Sequence, residues 1–244
     1  MPNALPDGDL AGTNAADARY LSLREIWLEP RVFIDVSAGQ LDWRRLYKYC
    51  IGFIAPRPIA LVSSISPAGR TNLAPFSFFN MCSANPPLVM FCPGLHRDGR
   101  RKDTLMNVEA TGQFVIAAVD RAIAKPMVAC AAELPYGDSE FEYSGLTPAP
   151  ATRVAPPLIR EASVNIECAL HQIVYSGVGP GSSAIVFGRI VALHVDDRVL
   201  DADGMIDPHS LTLVGRLGGA YYADADEPYE MKIPPSPATR ARTD

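Results

Sequence analysis

The sequence predicts a mostly β protein built from antiparallel strands, and three observations support this. Apolar, β-branched segments follow one another through short turns, and no alternating strand–helix–strand crossovers are visible. The 244 residues include 22 prolines and 18 glycines, which favour turns and short strands over long helices. Only a few short stretches have a helical pattern. The order of segments therefore favours an antiparallel barrel over a doubly wound sheet.

The first elements are a short helix and a hairpin. Asp42 is a helix-start residue, and the aromatic run that follows it extends to Tyr49. Residues 59–66 are apolar and β-branched, the segment 67–70 has turn composition, and 73–80 is extended again. Two such runs around a short turn predict a β-hairpin.

Four elements are predicted in the middle of the chain. A short apolar strand at 88–92 follows two prolines. Residues 103–112 predict a helix that Asp103 caps and a glycine ends. A buried strand at 113–119 follows, and an alanine-rich helix is predicted at 121–134. The sequence therefore places each helix of this region next to a strand.

The last third of the chain begins with a long proline-rich loop at 135–162, a length typical of functional loops. The segments 164–175 and 183–195 alternate between apolar and polar residues and predict a second hairpin. Residues 196–215 predict a turn and a short helix, and residues 216–232 complete the barrel domain.

We divide the chain into an N-terminal extension at 1–45, one barrel domain at 46–233 and a disordered tail at 234–244. Residues 1–18 of the extension are predicted to be mobile because they are polar and lack apolar periodicity. The amphipathic segment 20–36 predicts a helix and a strand that dock on the body or on a partner subunit.

The net charge of −5 and the lack of a basic run argue against a nucleic-acid-binding protein. No stretch approaches 18 uninterrupted apolar residues, so we expect no transmembrane helix and no membrane partner. The polar N-terminus lacks the features of a signal peptide, which favours a cytoplasmic protein.

The cysteines indicate buried free thiols, since their number is odd and no CxxC pair occurs. They are Cys50, Cys82, Cys92, Cys130 and Cys168. Cys92 with His96, and His194 with Asp196, are isolated pairs, whereas a metal site needs three or four ligands. We therefore expect no metal. The glycines of the segment 177–181 have strands on both sides, which favours a hairpin loop over a nucleotide-binding loop.

A basic cluster precedes the predicted helix at 103–112. Free N–H groups at a helix N-terminus bind phosphate well, and cations and a hydroxyl add to that affinity. A solvated basic loop would have the same composition, so both interpretations stay open. The cluster comprises Arg97, Arg100, Arg101, Lys102, Asp103 and Thr104.

The segment 74–80 places a serine and an asparagine among three phenylalanines on an extended chain that contains Pro75. Strand alternation would put Phe76, Phe78 and Asn80 on one face and Ser77 and Phe79 on the other. One face can fill the barrel while the other contacts a planar ligand. The alternative is that all these residues belong to the core.

Several segments together resemble the flavin reductase-like, FMN-binding split-barrel family. Within it they are most similar to the branch that holds flavoredoxin and the reductase component of nitrilotriacetate monooxygenase. The resemblance covers roughly residues 46–233. The segments are PRPIALVSSISPAGRTNLAPFSFFNMCSANPPLVMF (56–91), RKDTLMNVEATGQFVI (101–116), ECALHQIV (167–174), IVFGRIVALHV (185–195) and VGRLGGAYY (214–222).

The resemblance implies a six-stranded antiparallel Greek-key split β-barrel with a few short helices, and a homodimer with FMN near its interface. It places Ser77, Phe78 and Asn80 against the flavin ring and ribityl chain. It places Arg57 near the cofactor tail and Lys102, Asp103 and Thr104 at the phosphate. His171 and Tyr221 would flank the ring.

The sequence departs from the family at Leu61, where many relatives have tryptophan, so a stacking contact from that ring is absent. The resemblance implies an NAD(P)H-dependent flavin reductase, with NADH or NADPH as electron donor and with a monooxygenase as a possible partner. The flavin performs the redox step, so no catalytic side chain is expected. An FMN electron carrier similar to flavoredoxin, and a split-barrel interaction module without flavin, are the alternatives.

Overall fold

A computed structural model describes residues 32–96, 98–132, 134–135 and 138–234. The predictions for residues 1–31, among them the mobile segment at 1–18, lie outside the described residues. So does the predicted tail from residue 235 onward. The boundaries of the extension, barrel domain and tail stay predictions.

The chain divides into two units, Met1–Asp42 and Trp43–Asp244. In the described end of the first unit, the Asp35 carboxylate accepts hydrogen bonds from the Ser37 hydroxyl and the Ala38 N–H, at 2.6 and 3.0 Å. These bonds close a turn of the Asx type. All elements described below belong to the second unit.

The described part of the second unit contains four α-helices and eleven strands. The helices are α1 (Trp43–Phe53), α2 (Asp103–Thr111), α3 (Ala124–Ala129) and α4 (Glu140–Ser144). The first strands are β1 (Ala60–Ile65), β2 (Thr71–Phe76), β3 (Phe79–Ala84), β4 (Pro87–Phe91) and β5 (Gln113–Ala118). The others are β6 (Pro148–Ala149), β7 (Leu158–Ile159), β8 (Val164–Tyr175), β9 (Ala184–Val195), β10 (Leu213–Arg216) and β11 (Tyr222–Ala225). None of these helices is long and apolar enough to cross a membrane.

Seven of the described strands form one antiparallel sheet in the order β2-β1-β5-β8-β9-β4-β3. The mostly antiparallel β architecture is confirmed, but the sheet has seven strands where we expected six. Its two edge strands, β2 and β3, are joined only by Ser77 and Phe78. Two linking residues span at most about 10 Å, so the sheet must curl until its edges meet at this end. The result is a barrel that is open along the seam between β2 and β3.

Each face of the sheet packs against its own hydrophobic cluster. The inner core draws on six strands and includes Val62, Phe91, Ile116 and Val186. The outer core lies under α3, α4 and strands β7 and β10. Leu61 is fully buried in this outer core, whose other members are mostly aliphatic.

The inner core contains a chain of aromatic rings. The centroid of Phe91 lies 5.2 Å from that of Phe76 and 5.3 Å from that of Phe114, at tilted angles. The Phe114 ring presses on Gly188 of β9, where a Cβ atom would come within 2.2 Å of it. Gly188 is therefore required by this contact, since any side chain there would displace the ring.

Both predicted hairpins are confirmed. β1 pairs with β2 and β8 with β9, and the glycine segment connects the latter pair. The single strand at 73–80 is wrong, because a bend at Ser77 and Phe78 divides it into β2 and β3. The predicted helix at 121–134 is also too long, since only Ala124–Ala129 is helical.

The predicted loop at 135–162 contains α4 and the small β6–β7 hairpin. Its centre is fixed by Glu167, whose side chain is fully buried. The carboxylate accepts hydrogen bonds from the backbone N–H groups of Thr152, Arg153 and Val154 at 2.5–2.9 Å, and from His194 Nε2 at 2.5 Å. Burial alone would raise the pKa of Glu167, but these four donors hold it below its ordinary value.

Candidate functional site

A cavity of about 530 Å³ opens between edge strand β2 and the N-terminus of helix α2. One wall consists of Asn72, Ala74 and Pro75 of β2. The opposite wall comprises the segment that leads into α2 and the first two residues of that helix, Asp103 and Thr104. The structure therefore brings the basic cluster and the first two residues of the segment 74–80, Ala74 and Pro75, to one cavity, whereas Ser77, Phe78 and Asn80 are not among its lining residues. Further lining residues are His96, Arg100, Arg101, Lys102, Met106, Cys130, Ala131, Ala132, Leu134 and Glu140.

The N-terminus of α2 lacks a side-chain cap. Its N-cap residue is Lys102, with extended backbone angles and no side-chain cap hydrogen bond. The prediction that Asp103 caps the helix is wrong, because Asp103 is the first residue inside it. A lysine ammonium is only a donor, so it cannot satisfy helix N–H groups. The N–H groups of Asp103 and Thr104 have no acceptor among the described residues, and with the helix dipole they favour an anion here.

Thr104 connects this terminus to a buried polar network. Its side chain is almost fully buried, and its Oγ1 accepts a hydrogen bond of 2.9 Å from Asn72 Nδ2. The Ser64 hydroxyl accepts from Asn72 at 3.4 Å and from Asn107 at 3.1 Å. Three elements, β1, β2 and α2, are thus joined beneath the cavity by uncharged groups.

The cations of the basic cluster differ in their surroundings. Arg100 forms an ion pair with Asp98 at 2.6 Å, and Arg101 forms one with Glu109 at 2.7 Å. Glu109 also accepts a hydrogen bond from the Tyr175 hydroxyl. Lys102 is the N-cap residue of α2, so its charge lies close to the helix terminus. Arg97 lies outside the described residues.

A buried carboxylate occupies another part of the cavity wall. Glu140 is the first residue of α4, and its Oε2 accepts a 2.9 Å hydrogen bond from the backbone N–H of Leu73. Burial raises the pKa of Glu140, and the nearby Asp103 raises it further. Leu73 turns its N–H outward from the sheet, so the backbone nitrogen of Pro75, two residues on, also faces outward. Pro75 therefore removes no ladder hydrogen bond, and Glu140 blocks part of the exposed edge.

Arg57 contributes to the scaffold and does not line this cavity. Its backbone pairs with Arg216, and its guanidinium donates to the carbonyls of Ile51, Ile54 and Leu217 at 2.7–3.0 Å. The guanidinium thus ties the end of α1 to the segment after β10. Its buried Nε has no partner within the described residues.

The bend between β2 and β3 turns Phe78 outward. Its ring lies 5.9 Å from the Arg57 guanidinium carbon and 6.3 Å from the Tyr47 ring. Phe76 is buried in the inner core and Phe79 packs against the same core, so the predicted alternation is wrong across the bend. Ser77 is half-buried, and Asn80 is exposed with its Oδ1 accepting from the Met81 N–H at 2.9 Å.

His171 and Tyr221 lie on other elements and are exposed. His171 is the extra residue of a β-bulge in β8, between the pairs Leu170–Gly188 and Gln172–Phe187. Tyr221 lies in the β10–β11 turn and is 75% exposed. The structure therefore groups Lys102, Asp103 and Thr104 at one cavity, whereas His171 and Tyr221 have no close contact with it in the single chain.

Among the cavity residues that sequence reasoning missed, Asn72 and Glu140 make hydrogen bonds at the site. Asn72 was inside the predicted hairpin, and only the packing of α2 against β1 and β2 shows that it reaches Thr104. Glu140 was inside the predicted loop, 67 residues from its partner Leu73. No local signal could identify either contact, because both depend on how distant segments pack.

The flavin reductase like domain family matches residues 53–215, about two thirds of the chain. An uncharacterized protein of Aquifex aeolicus is 37% identical over 200 residues, which cover 82% of this chain and all of the relative. The structure of nitrilotriacetate monooxygenase component B from Bacillus cereus is 32% identical with a TM-score of 0.77. That match covers 83% of this chain and all of the other.

A structure described as a putative flavin reductase with a split barrel domain, from Shewanella frigidimarina, gives a TM-score of 0.72. It is 23% identical, and the match covers 84% of this chain and all of that one. At this identity the similarity shows the fold alone. It agrees with the open seam between β2 and β3.

Proposed function

The chain belongs to the flavin reductase-like family, and on that premise we propose that it is an NAD(P)H-dependent flavin reductase that binds FMN. The main supporting observation is the uncapped N-terminus of α2, which meets the cavity beside β2 with a lysine and a buried threonine. Free helix N–H groups with an adjacent cation and hydroxyl form a phosphate-binding set.

The chemistry of this set fits the phosphate of FMN. The N–H groups of Asp103 and Thr104 would donate to phosphate oxygens, and Lys102 would supply the compensating charge. The ion pairs of Arg100 and Arg101 keep those two cations near the cavity without placing them at the helix terminus. The Asp103 side chain belongs to the wall, since a carboxylate does not bind a phosphate anion directly.

The flavin ring would lie at the bend that follows β2. Ser77, Phe78 and Asn80 offer a hydroxyl, an exposed aromatic face and an amide that both donates and accepts. When bound, FMN supplies a ring that accepts a hydride and passes the electrons on. The chain binds and orients that ring, and backbone N–H groups of the seam would stabilise its reduced, anionic form.

Arg57 would act on the flavin ring indirectly, through Phe78. Its three hydrogen bonds to backbone carbonyls fix the end of α1, and its guanidinium lies near the Phe78 ring. We therefore assign Arg57 to the cofactor site as a residue that holds Phe78 in place. His171 and Tyr221 would flank the ring only from a second copy of the chain, because both are exposed in one copy.

We propose a homodimer in which that second copy covers the ring end of the site. The exposed face of α1 carries Trp43, Tyr47 and Phe53, and Tyr47 lies beside Phe78. An apolar surface of this kind indicates a protein interface. Analytical ultracentrifugation should give about twice the chain mass of 26.3 kDa. A monomer that still binds FMN would contradict the dimer.

The experiment that tests the function is anaerobic mixing of the FMN-loaded protein with NADH or NADPH. Bleaching of the flavin absorption band within seconds supports the reductase. A band that neither nucleotide bleaches, but that dithionite does, would instead favour an electron carrier similar to flavoredoxin. A protein that stays colourless after FMN is added would favour an interaction module without flavin.

We propose a monooxygenase as the partner, to which this protein would deliver reduced flavin. The similarity to component B of nitrilotriacetate monooxygenase supports this role. Protein that carries FMN and has been reduced by NAD(P)H should pass reduced FMN to an oxygenase, either through solution or through direct contact. Oxygenase turnover that depends on both proteins and on NAD(P)H would support it.

A further inference from the structure

Asn72 is the buried residue that links the phosphate end of the cavity to the barrel. Its side chain is 8% exposed and that of Thr104 is 1% exposed. The Asn72 amide nitrogen donates to Thr104 Oγ1 at 2.9 Å and to Ser64 Oγ at 3.4 Å. Asn72 and Thr104 also line the cavity.

The direction of the hydrogen bond to Thr104 determines where the threonine proton points. A hydroxyl has one proton and two lone pairs, and one lone pair of Oγ1 is used by the amide. The proton of Thr104 has no acceptor among the described residues. It is therefore available to a group in the cavity, beside the free N–H groups of Asp103 and Thr104.

We propose that Asn72 is a positioning residue that holds the Thr104 hydroxyl as a donor toward an anionic group at the N-terminus of α2. The inference rests on the proposed function, in which that group is the phosphate of FMN. Asn72 acts through Thr104 and does not itself bind the phosphate. It thereby contributes to the preference for FMN over riboflavin, which lacks the phosphate.

Asn107 offers a matched control within the same network. Its amide donates to the same Ser64 hydroxyl, at 3.1 Å, and it is 7% exposed, but it makes no hydrogen bond to Thr104. Asn72→Ala and Asn107→Ala both remove one buried amide from this network. Only the first removes the contact that orients the Thr104 hydroxyl.

The test measures the dissociation constants of FMN and riboflavin by quenching of flavin fluorescence. We expect Asn72→Ala and Thr104→Val each to weaken FMN binding about tenfold or more, the loss of one hydrogen bond to a charged group. Riboflavin affinity should change less than twofold. Asn72→Ala should add no further loss in a protein that already carries Thr104→Val, and Asn107→Ala should leave the FMN-to-riboflavin ratio unchanged.

Asn72→Asp is a second variant of nearly the same shape, in case the alanine variant does not fold. Its carboxylate accepts the Thr104 proton, so it should lower FMN affinity more than Asn72→Ala does. Thr104→Ser keeps the hydroxyl and should restore most of the affinity that Thr104→Val loses. These comparisons separate the orientation of the hydroxyl from a general loss of stability.

Two results would overturn the inference while the proposed function stands. One is an unchanged FMN-to-riboflavin ratio in Thr104→Val, and the other is an equal change of that ratio in Asn72→Ala and Asn107→Ala. In both cases wild type would still prefer FMN, and Lys102→Ala would reduce that preference. A wild-type protein that binds both flavins equally would overturn the phosphate assignment itself and the inference with it.

Discussion

Replacing Glu167 by glutamine should strongly destabilise the protein, because this one carboxylate fixes the centre of the long 135–162 segment. The side chain is completely buried and accepts four hydrogen bonds, three of them from consecutive backbone N–H groups. Glutamine has nearly the same shape, but one of its two terminal groups is a donor. That NH₂ group would face N–H groups that need an acceptor.

The size of the effect follows from the number of donors left without an acceptor. The glutamine oxygen can serve about half of the four, and about two buried donors lose their partner. A hydrogen bond to a charged group contributes about 1.5–3 kcal/mol. We therefore expect the free energy of unfolding to fall by about 3–6 kcal/mol, which for a chain of this length lowers Tm by roughly 6–24 °C.

Urea unfolding at pH 7, followed by circular dichroism, measures this loss. Glu161→Gln is the matched control, because Glu161 also accepts from a backbone N–H, that of Thr147, but at an exposed position. The control should lose less than about 1 kcal/mol. If Glu167→Gln loses no more than the control, the carboxylate does not fix the segment as argued.

The pH dependence provides a second check on Glu167. Its pKa lies below the ordinary value of 4.5 in the folded protein. The carboxylate therefore contributes stability that is present above about pH 4.5 and is lost as the pH falls through the lower, folded pKa. The difference in stability between wild type and Glu167→Gln should be constant near neutral pH and should narrow in acid.

Three further predictions concern the cavity and the bend. Lys102→Ala should weaken FMN binding by about 1.5–3 kcal/mol and leave riboflavin binding almost unchanged. Equal losses of affinity for FMN and riboflavin in fluorescence titrations would contradict the phosphate assignment. Asn80→Leu should weaken FMN binding by about 1–2 kcal/mol with little change in the Tm of the apoprotein, since Asn80 is exposed. A change in Tm without a change in FMN affinity would contradict its role as a flavin ligand. Relative to wild type, Glu140→Gln should become more stable to unfolding as the pH rises above 4.5, because burial raises the pKa of Glu140 and disfavours its charged form. Urea midpoints of the two proteins at pH 5 and pH 8 measure this, and a difference that does not grow with pH would refute it.

The sequence was most informative where structure depends on neighbouring residues. The β1–β2 and β8–β9 hairpins follow from alternating segments around turns, and helix α2 follows from its spacing and the glycine that ends it. Gly112 has a φ of 68°, as expected of a left-handed residue at a helix end. The meeting of Lys102, Asp103 and Thr104 at one cavity could be predicted for the same reason, because these residues are contiguous.

The failures occur where the fold brings distant segments together. Strand alternation predicted that Phe76 and Phe79 face opposite sides, but the bend at the seam turns both toward the inner core. Glu167 had no local signal as a buried carboxylate, since its four donors come from residues 13–27 positions away. The family resemblance supplied the barrel but gave one strand fewer than the sheet has.

The order of strands in the barrel also constrains the order in which the protein can assemble during synthesis. Strand β4 ends at Phe91, whereas its partner β9 begins at Ala184. At typical translation rates the ribosome needs roughly 5–20 s to make the residues between them. During that time the nascent chain carries an apolar strand with one unpaired edge, which is open to wrong pairing with other chains. Chains that stop before residue 184 cannot close the barrel, and we expect them to depend on chaperones to remain unaggregated.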